Sequence, residues 1–251
     1  MTFEQQAQTV INRQGSIAEN NLIYLPVTSY TQHQTASPGA FPVSTFHVGL
    51  DNRLEAFHKP FDHVVVAQAN FYGHHHREPP IHECVAWRLA HAIGPPLDEL
   101  VAPVVMRECG PGNWGSLTAR QAGVGRTLEP IQGRRDQCLS AAFFDALIGQ
   151  QDRHLGNFRW DANSSHLGLF DHGFAFALPG DLFNASFFVE WRWDSNLESL
   201  EQWEIEALEV LLRSHDVHGL TEMLQAPRVD RLQERARTML EDGVIFPFQR
   251  F

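Results

Sequence analysis

Two short stretches carry residues whose types and spacing could do chemistry together. DRHLGN (152–157) has an aspartate at its start and an asparagine five positions on, and DHG (171–173) opens on a second aspartate. Moving a phosphoryl group from a nucleotide needs few covalent participants but several positioned charges. A carboxylate has to orient the acceptor hydroxyl, oxygen donors have to hold magnesium against the phosphates, and a cation has to neutralise them. Asp152 and Asn157 suit the first two tasks from one loop, and Asp171, beyond a turn, can reach the same metal from the other side. Gly173 leaves the backbone room to approach. Composition singles out the cation: among 19 basic residues Lys59 is the one lysine, a compact point charge in a chain that otherwise uses arginine. Glu83 is placed to pair with it, one turn into the helix predicted to follow.

The elements that must hold these residues can be read from hydrophobic spacing. A strand is predicted at NLIYLPV (21–27), and TQHQTASPGAFPV (31–43) is loop-like. STFHVGL and RLEAFHKPF flank Asp51-Asn52 as two strands joined by a tight turn, which puts Lys59 near a strand end. A turn at Pro79-Pro80 leads into IHECVAWRLAHAIG, whose apolar residues at 81, 85, 89 and 93 mark a helix face stopped by Gly94-Pro95-Pro96. VAPVVMREC (101–109) reads as a buried strand, followed by a Gly-rich link near 108–116. DQCLSAAFFDALIGQ (136–150) is an apolar helix, HLGLFDHGFAFAL continues a short strand pair, and helices are expected at about 198–214, 218–225 and 228–241. The expectation is an α+β, two-lobed chain: residues 1–108 as a small β-rich lobe with one helix, and 109–251 as a mainly helical lobe.

The stretch FFDALIGQQDRHLGNF followed by LGLFDHGFAFA resembles the catalytic and metal-binding loops of the phosphatidylinositol 3- and 4-kinase-like group. That group includes the HipA toxins and the secreted Fam20 kinases. More loosely, FHKP, the helix from HECVAWRL to AIG, and then PVV and GSL follow the order of the type II phosphatidylinositol 4-kinase and HipA-like branch. The resemblance covers about residues 45–180 and implies a protein-kinase-like fold using ATP with magnesium, or manganese as the alternative. It makes Asp152 the catalytic aspartate and puts His154 beside the transferred phosphate. Asn157 and Asp171 become metal ligands, Lys59 the phosphate-binding lysine and Glu83 its partner. Arg107 and Glu108, ending the implied hinge strand, join the nucleotide site. The chain departs from the pattern twice. His172 follows Asp171 in place of Phe, and no glycine-rich loop precedes Lys59, so Ser37, Gly39 and Ser44 are the phosphate-contact candidates.

Other readings compete with these. DRHLGN alone could be a helix end with a surface ion pair from Asp152 to Arg153 or Arg159. GPGNWG (110–115) matches GxGxxG but opens into no helix of a βαβ unit, so it reads as the hinge connection. His74-His75-His76, with His82 and His91, invite a metal site but read as a solvated loop, since no Cys, Asp or His elsewhere falls at ligand spacing, and HECVA lacks the second histidine of HExxH. FFVEWRW (187–193) reads as core packing, with substrate contact as the alternative. A net charge of −11 disfavours nucleic acid and anionic membranes, which reward positive surfaces. With no leader or membrane span in view, a cytoplasmic protein is expected, its three scattered cysteines free thiols. The acceptor expected first is Ser or Thr of a protein or peptide, with a small molecule or phosphoinositide as the alternative. AMP transfer, a nucleotide-binding pseudokinase, an interaction module built on the C-terminal helices, and a zinc hydrolase are the rivals.

Overall fold

The computed structural model describes residues 2–12, 14, 17–32, 46–63, 66–180, 186–213 and 219–245. Ser37, Gly39 and Ser44 therefore lie outside the described residues. The chain opens with helices α1 (Phe3–Asn12) and α2 (Ile17–Tyr24), then strands β1 (Val27–Gln32), β2 (Phe46–Leu50) and β3 (Glu55–Pro60). Helices α3 (Val66–Phe71), α4 (Glu78–Ile93) and α5 (Leu97–Leu100) precede strands β4 (Val104–Glu108) and β5 (Trp114–Ala119). Next come α6 (Glu129–Gly133), α7 (Arg135–Ile148), β6 (Phe158–Asp161) and β7 (His166–Leu169). Four helices close the chain: α8 (Phe187–Asp194), α9 (Gln202–Arg213), α10 (Leu220–Met223) and α11 (Ala226–Asp242).

Strands β1 to β5 form one antiparallel sheet in the order β1-β2-β3-β5-β4, and β6 and β7 form a separate hairpin. The fold class is the expected mixed α/β type, but the first lobe holds more than one helix. Residues expected to begin a strand at Asn21 finish α2, because Leu22 and Glu19, one turn apart, both turn inward. Leu22 joins Val48, Leu50, Val105 and Leu117 in a small core on one side of the sheet, and Glu19 pairs with Arg88 of α4. Polar α1 is held in the same way by tertiary packing, with Val10 and Gln6 buried where it meets α4, α10 and β4.

The sheet also runs past residue 108. Gly110 to Asn113 make a tight turn, with Asn113 N–H donating to Gly110 O, and β5 then pairs with both β3 and β4. GPGNWG is thus a hairpin turn inside the sheet. The crossover to the helical part is residues 120–124, where Val124 bridges Trp160 of β6. On the other side of the sheet, α4 is buried almost all round, because it is sandwiched between the sheet and α1, α5 and α10. Its Val85, Leu89 and Trp87 belong to one continuous core with Phe143, Phe144 and Leu147 of α7 and Leu232 and Met239 of α11. The aromatic stretch 187–193 forms α8 and packs on α7. Gly149, in left-handed backbone with φ 63°, ends α7 and turns the chain toward the loop that follows.

Candidate active site

Lys59 is the second-last residue of β3, opposite Ser116 of β5. Its ammonium reaches across to α4 and donates to Glu83 Oε1 at 2.5 Å, and on the other side donates to Asp171 Oδ1 at 2.8 Å. Glu83 is fixed from the sheet as well, accepting from Ser116 Oγ at 2.6 Å and Thr118 Oγ1 at 3.3 Å. These two hydroxyls were not foreseen; the signal was alternation in β5, which points residues 116 and 118 to the same face. Gly115 permits the approach of the two strands, since a Cβ there would stand 2.1 Å from the Lys59 carbonyl oxygen. Burial favours the neutral amine, yet the Asp171 and Glu83 carboxylates outweigh it and hold the Lys59 pKa above its ordinary value.

The two loops are tied together from beneath. Arg153 is buried and pairs with Asp145 of α7 at 3.0 Å, and its Nη1 donates to the carbonyls of both Asn157 and Phe170 at 2.5 Å. Asp145 also accepts from Ser186 Oγ at 2.7 Å. The surface ion pair considered from sequence is absent because Arg153 faces inward, answering an acid buried in an apolar helix. Asn157 Nδ2 closes its loop on the Asp152 carbonyl at 2.6 Å, and the His154 ring turns back to accept from Gly156 N–H at 2.9 Å, leaving His154 exposed.

Above this support stand the carboxylates. Asp152 Oδ1 accepts from the Tyr72 hydroxyl at 2.9 Å, a contact that nothing in the local sequence pattern announced. Burial and the nearby Asp171 charge push the Asp152 pKa up, partly offset by His154, Tyr72 and Lys59. For Asp171 burial also pushes upward, but Lys59 prevails and the pKa falls below the ordinary value. The Asp171 backbone is left-handed, with φ 58°, and its side chain keeps 35 % of its surface open. A non-glycine residue held there costs on the order of 1–3 kcal/mol and marks a position whose side-chain direction matters. His172 points the other way, edge-on to Phe144 and kept neutral by burial. Gly173 has no room for more: a Cβ would lie 2.9 Å from Pro79 Cβ and 3.2 Å from Lys59 Nζ.

The structure thus brings Lys59, Glu83, Asp152, Asn157 and Asp171 to one place, with His154 at its rim. It does not bring Arg107 or Glu108 there. Arg107 lies on the face of β4 that carries Val105 and donates to the Leu22 carbonyl at 2.6 Å, while Glu108 accepts from Gly112 N–H in the hairpin turn. The expected hinge was displaced because β5 follows β4 within the sheet, and the chain leaves the sheet only after Ala119. The His74-His75-His76 run is also not a solvated loop as a whole. His75 is exposed and stacks on Phe3, whereas His74 is buried beside Glu78 and His82.

No protein-family model matches the chain, and no curated protein matches it in sequence. Among solved structures, a Golgi casein kinase aligns over 96 % of this chain and 76 % of its own, with TM-score 0.53 and 12 % identity. The Helicobacter pylori proinflammatory kinase CtkA aligns over 90 % of this chain and 95 % of its own, with TM-score 0.43 and 11 % identity. The first likeness shows that this chain shares the fold of that kinase.

Proposed function

We propose that this protein is a phosphotransferase that moves the γ-phosphate of ATP to a hydroxyl, with Ser or Thr of a protein or peptide as the acceptor. The observation that carries the reading is Lys59 held between Glu83 and Asp171 at the mouth of the loop that bears Asp152. A nucleotide would lie between the sheet and the helical part, its phosphates near Lys59. Asp152 would accept a hydrogen bond from the acceptor hydroxyl and orient it for in-line attack, and its raised pKa suits a group that takes a proton as charge develops. Lys59 would neutralise phosphate charge while Glu83, held by Ser116 and Thr118, keeps the ammonium in position.

The donor set also fits a hard divalent cation. Asp171 offers a carboxylate that is partly open, and Asn157 an amide oxygen on the facing loop, which suit magnesium and also manganese. Such an ion would supply charge neutralisation at the phosphates. Placement within the phosphatidylinositol kinase-like and HipA-like branch rests on the paired loops DRHLGN and DHG. A protein acceptor is preferred over a phosphoinositide because the net charge of −11 opposes anionic membranes.

Incubation with γ-labelled and, separately, α-labelled ATP plus magnesium, followed by intact mass, tests the reading. Gain of one phosphate by wild type and not by Asp171→Asn is expected. Label from the α-position would replace phosphoryl transfer with AMP transfer, and the absence of both labelling and nucleotide binding would overturn the reading.

A further inference from the structure

Behind the candidate active site, His74, Glu78 and His82 bring three potential ligand atoms within 4.8 Å of one another, and all three residues are buried. They follow one another at intervals of four, from the turn before α4 into its second turn. The hydrogen bonds around them decide where the imidazole protons sit. Gln151 Nε2 donates to the Tyr72 carbonyl at 3.0 Å, which turns its Oε1 toward His74 Nε2 at 2.5 Å. His74 Nε2 therefore carries a proton, and Nδ1 faces Glu78. The His82 ring interacts with the Gly173 backbone. Both Nδ1 atoms are buried without a hydrogen-bond partner, and His74 Nδ1 stands 3.6 Å from Glu78 Oε2.

Two buried imidazole nitrogens without a hydrogen-bond partner are costly to leave unsatisfied beside a carboxylate, and a cation among them removes that cost. An imidazole that donates one nitrogen to a carbonyl and offers the other inward is how histidine is held for a metal. Two imidazoles and a carboxylate suit zinc, whose bonds of roughly 2.0–2.2 Å place tetrahedral ligand atoms about 3.4 Å apart. We propose that His74 Nδ1, His82 Nδ1 and Glu78 form a structural zinc site that clamps the 72–82 segment to the catalytic and DHG loops. The clamp works through the outer contacts, since Gln151 adjoins Asp152 and Gly173 lies two residues past Asp171. Glu78 also accepts from Arg228, Gln225 and the His75 N–H, and these fix the carboxylate. The guanidinium adds positive charge beside the ion, so binding is expected to be weaker than at a site lined by anions alone. Burial keeps substrates away, which separates this site from a hydrolytic zinc.

The full chain, stripped with a chelator, equilibrated with zinc chloride and desalted, is assayed for metal by elemental analysis. Wild type and Asp171→Asn are expected to retain one zinc per chain. His74→Gln and His82→Gln keep a donor where Nε2 was but lose the ring ligand, and should bind zinc about 10-fold or more weakly. Cobalt substitution of wild type, read by its tetrahedral visible absorption, gives a readout independent of whether the variants fold. Zinc retained equally by the double glutamine variant, zinc lost with Asp171→Asn, or wild type without the cobalt absorption would each overturn the site. Labelling activity plays no part in the test, so it stands apart from the proposed function.

Discussion

Replacing Arg153 with methionine is the most informative single perturbation of this fold. The methionine fills similar volume but leaves the buried Asp145 carboxylate, among the described residues, facing only Ser186, and it removes the donor shared by the Asn157 and Phe170 carbonyls. Breaking a buried ion pair from one side costs about 3–5 kcal/mol, much of it the uncompensated charge. For a chain of this size about 1 kcal/mol corresponds to roughly 2–4 °C, so melting should fall by on the order of 10 °C. Adding Asp145→Asn removes the stranded charge while keeping an acceptor for Ser186, and the double variant should recover about 2 kcal/mol. The assay is a thermal or urea double-mutant cycle, with labelling from γ-ATP measured on folded protein. Activity should stay low in the double variant, because both loop carbonyls remain untied. A cost under about 1 kcal/mol for Arg153→Met, or a double variant less stable than that single one, would refute the buried-pair account.

Three further outcomes are expected. Gly173→Ala should push Lys59 aside, since the added methyl would stand 3.2 Å from its nitrogen, lowering labelling more than tenfold while costing about 1–3 kcal/mol of stability by overpacking. Tyr72→Phe removes a hydrogen bond that lowers the Asp152 pKa, so the acidic limb of the pH–rate profile should move to higher pH. His82 and His172 both have pKa values held well below the ordinary imidazole range by burial. Such groups favour the fold above about pH 6.5, and each should cost about 1 kcal/mol per pH unit as pH falls below it, visible as a drop in melting temperature between about pH 6.5 and 5.5 in metal-free protein.

What sequence could reveal was set by how local the determining physics is. The strands carrying Lys59, the helix carrying Glu83, the apolar helix α7 and the loops carrying Asp152, Asn157 and Asp171 all follow from spacing within a few residues, and all lie where expected. Helices α1 and α2 are polar or weakly patterned, and their few buried side chains take their partners from α4 and the sheet. The hinge was misplaced because GPGNWG reads equally as an interlobe link or a hairpin turn, and only the pairing of β5 decides between them. Tyr72, Ser116 and Thr118 reach the site through contacts of long sequence separation. His74 was misread for a related reason. Its buried partners include Glu78, an acid four residues on that a search for Cys, Asp and His spacing passes over.

Helix α4 is fastened on two sides: it shares one core with α7 and α11 and is tied to α11 by Arg228 on Glu78 at 2.9 Å, while Val104 and Met106 of β4 enter that same core and Ser116 and Thr118 of β5 hold Glu83. In mechanical terms the helix that presents Glu83 is a keel shared by the sheet and the helical part. The Lys59–Glu83 contact then lies inside the unit that α4 and the sheet make together, and Lys59–Asp171 is the tie that crosses from that unit to the DHG loop. Spin labels on β3 and α4 would therefore keep a fixed separation when a nucleotide is added.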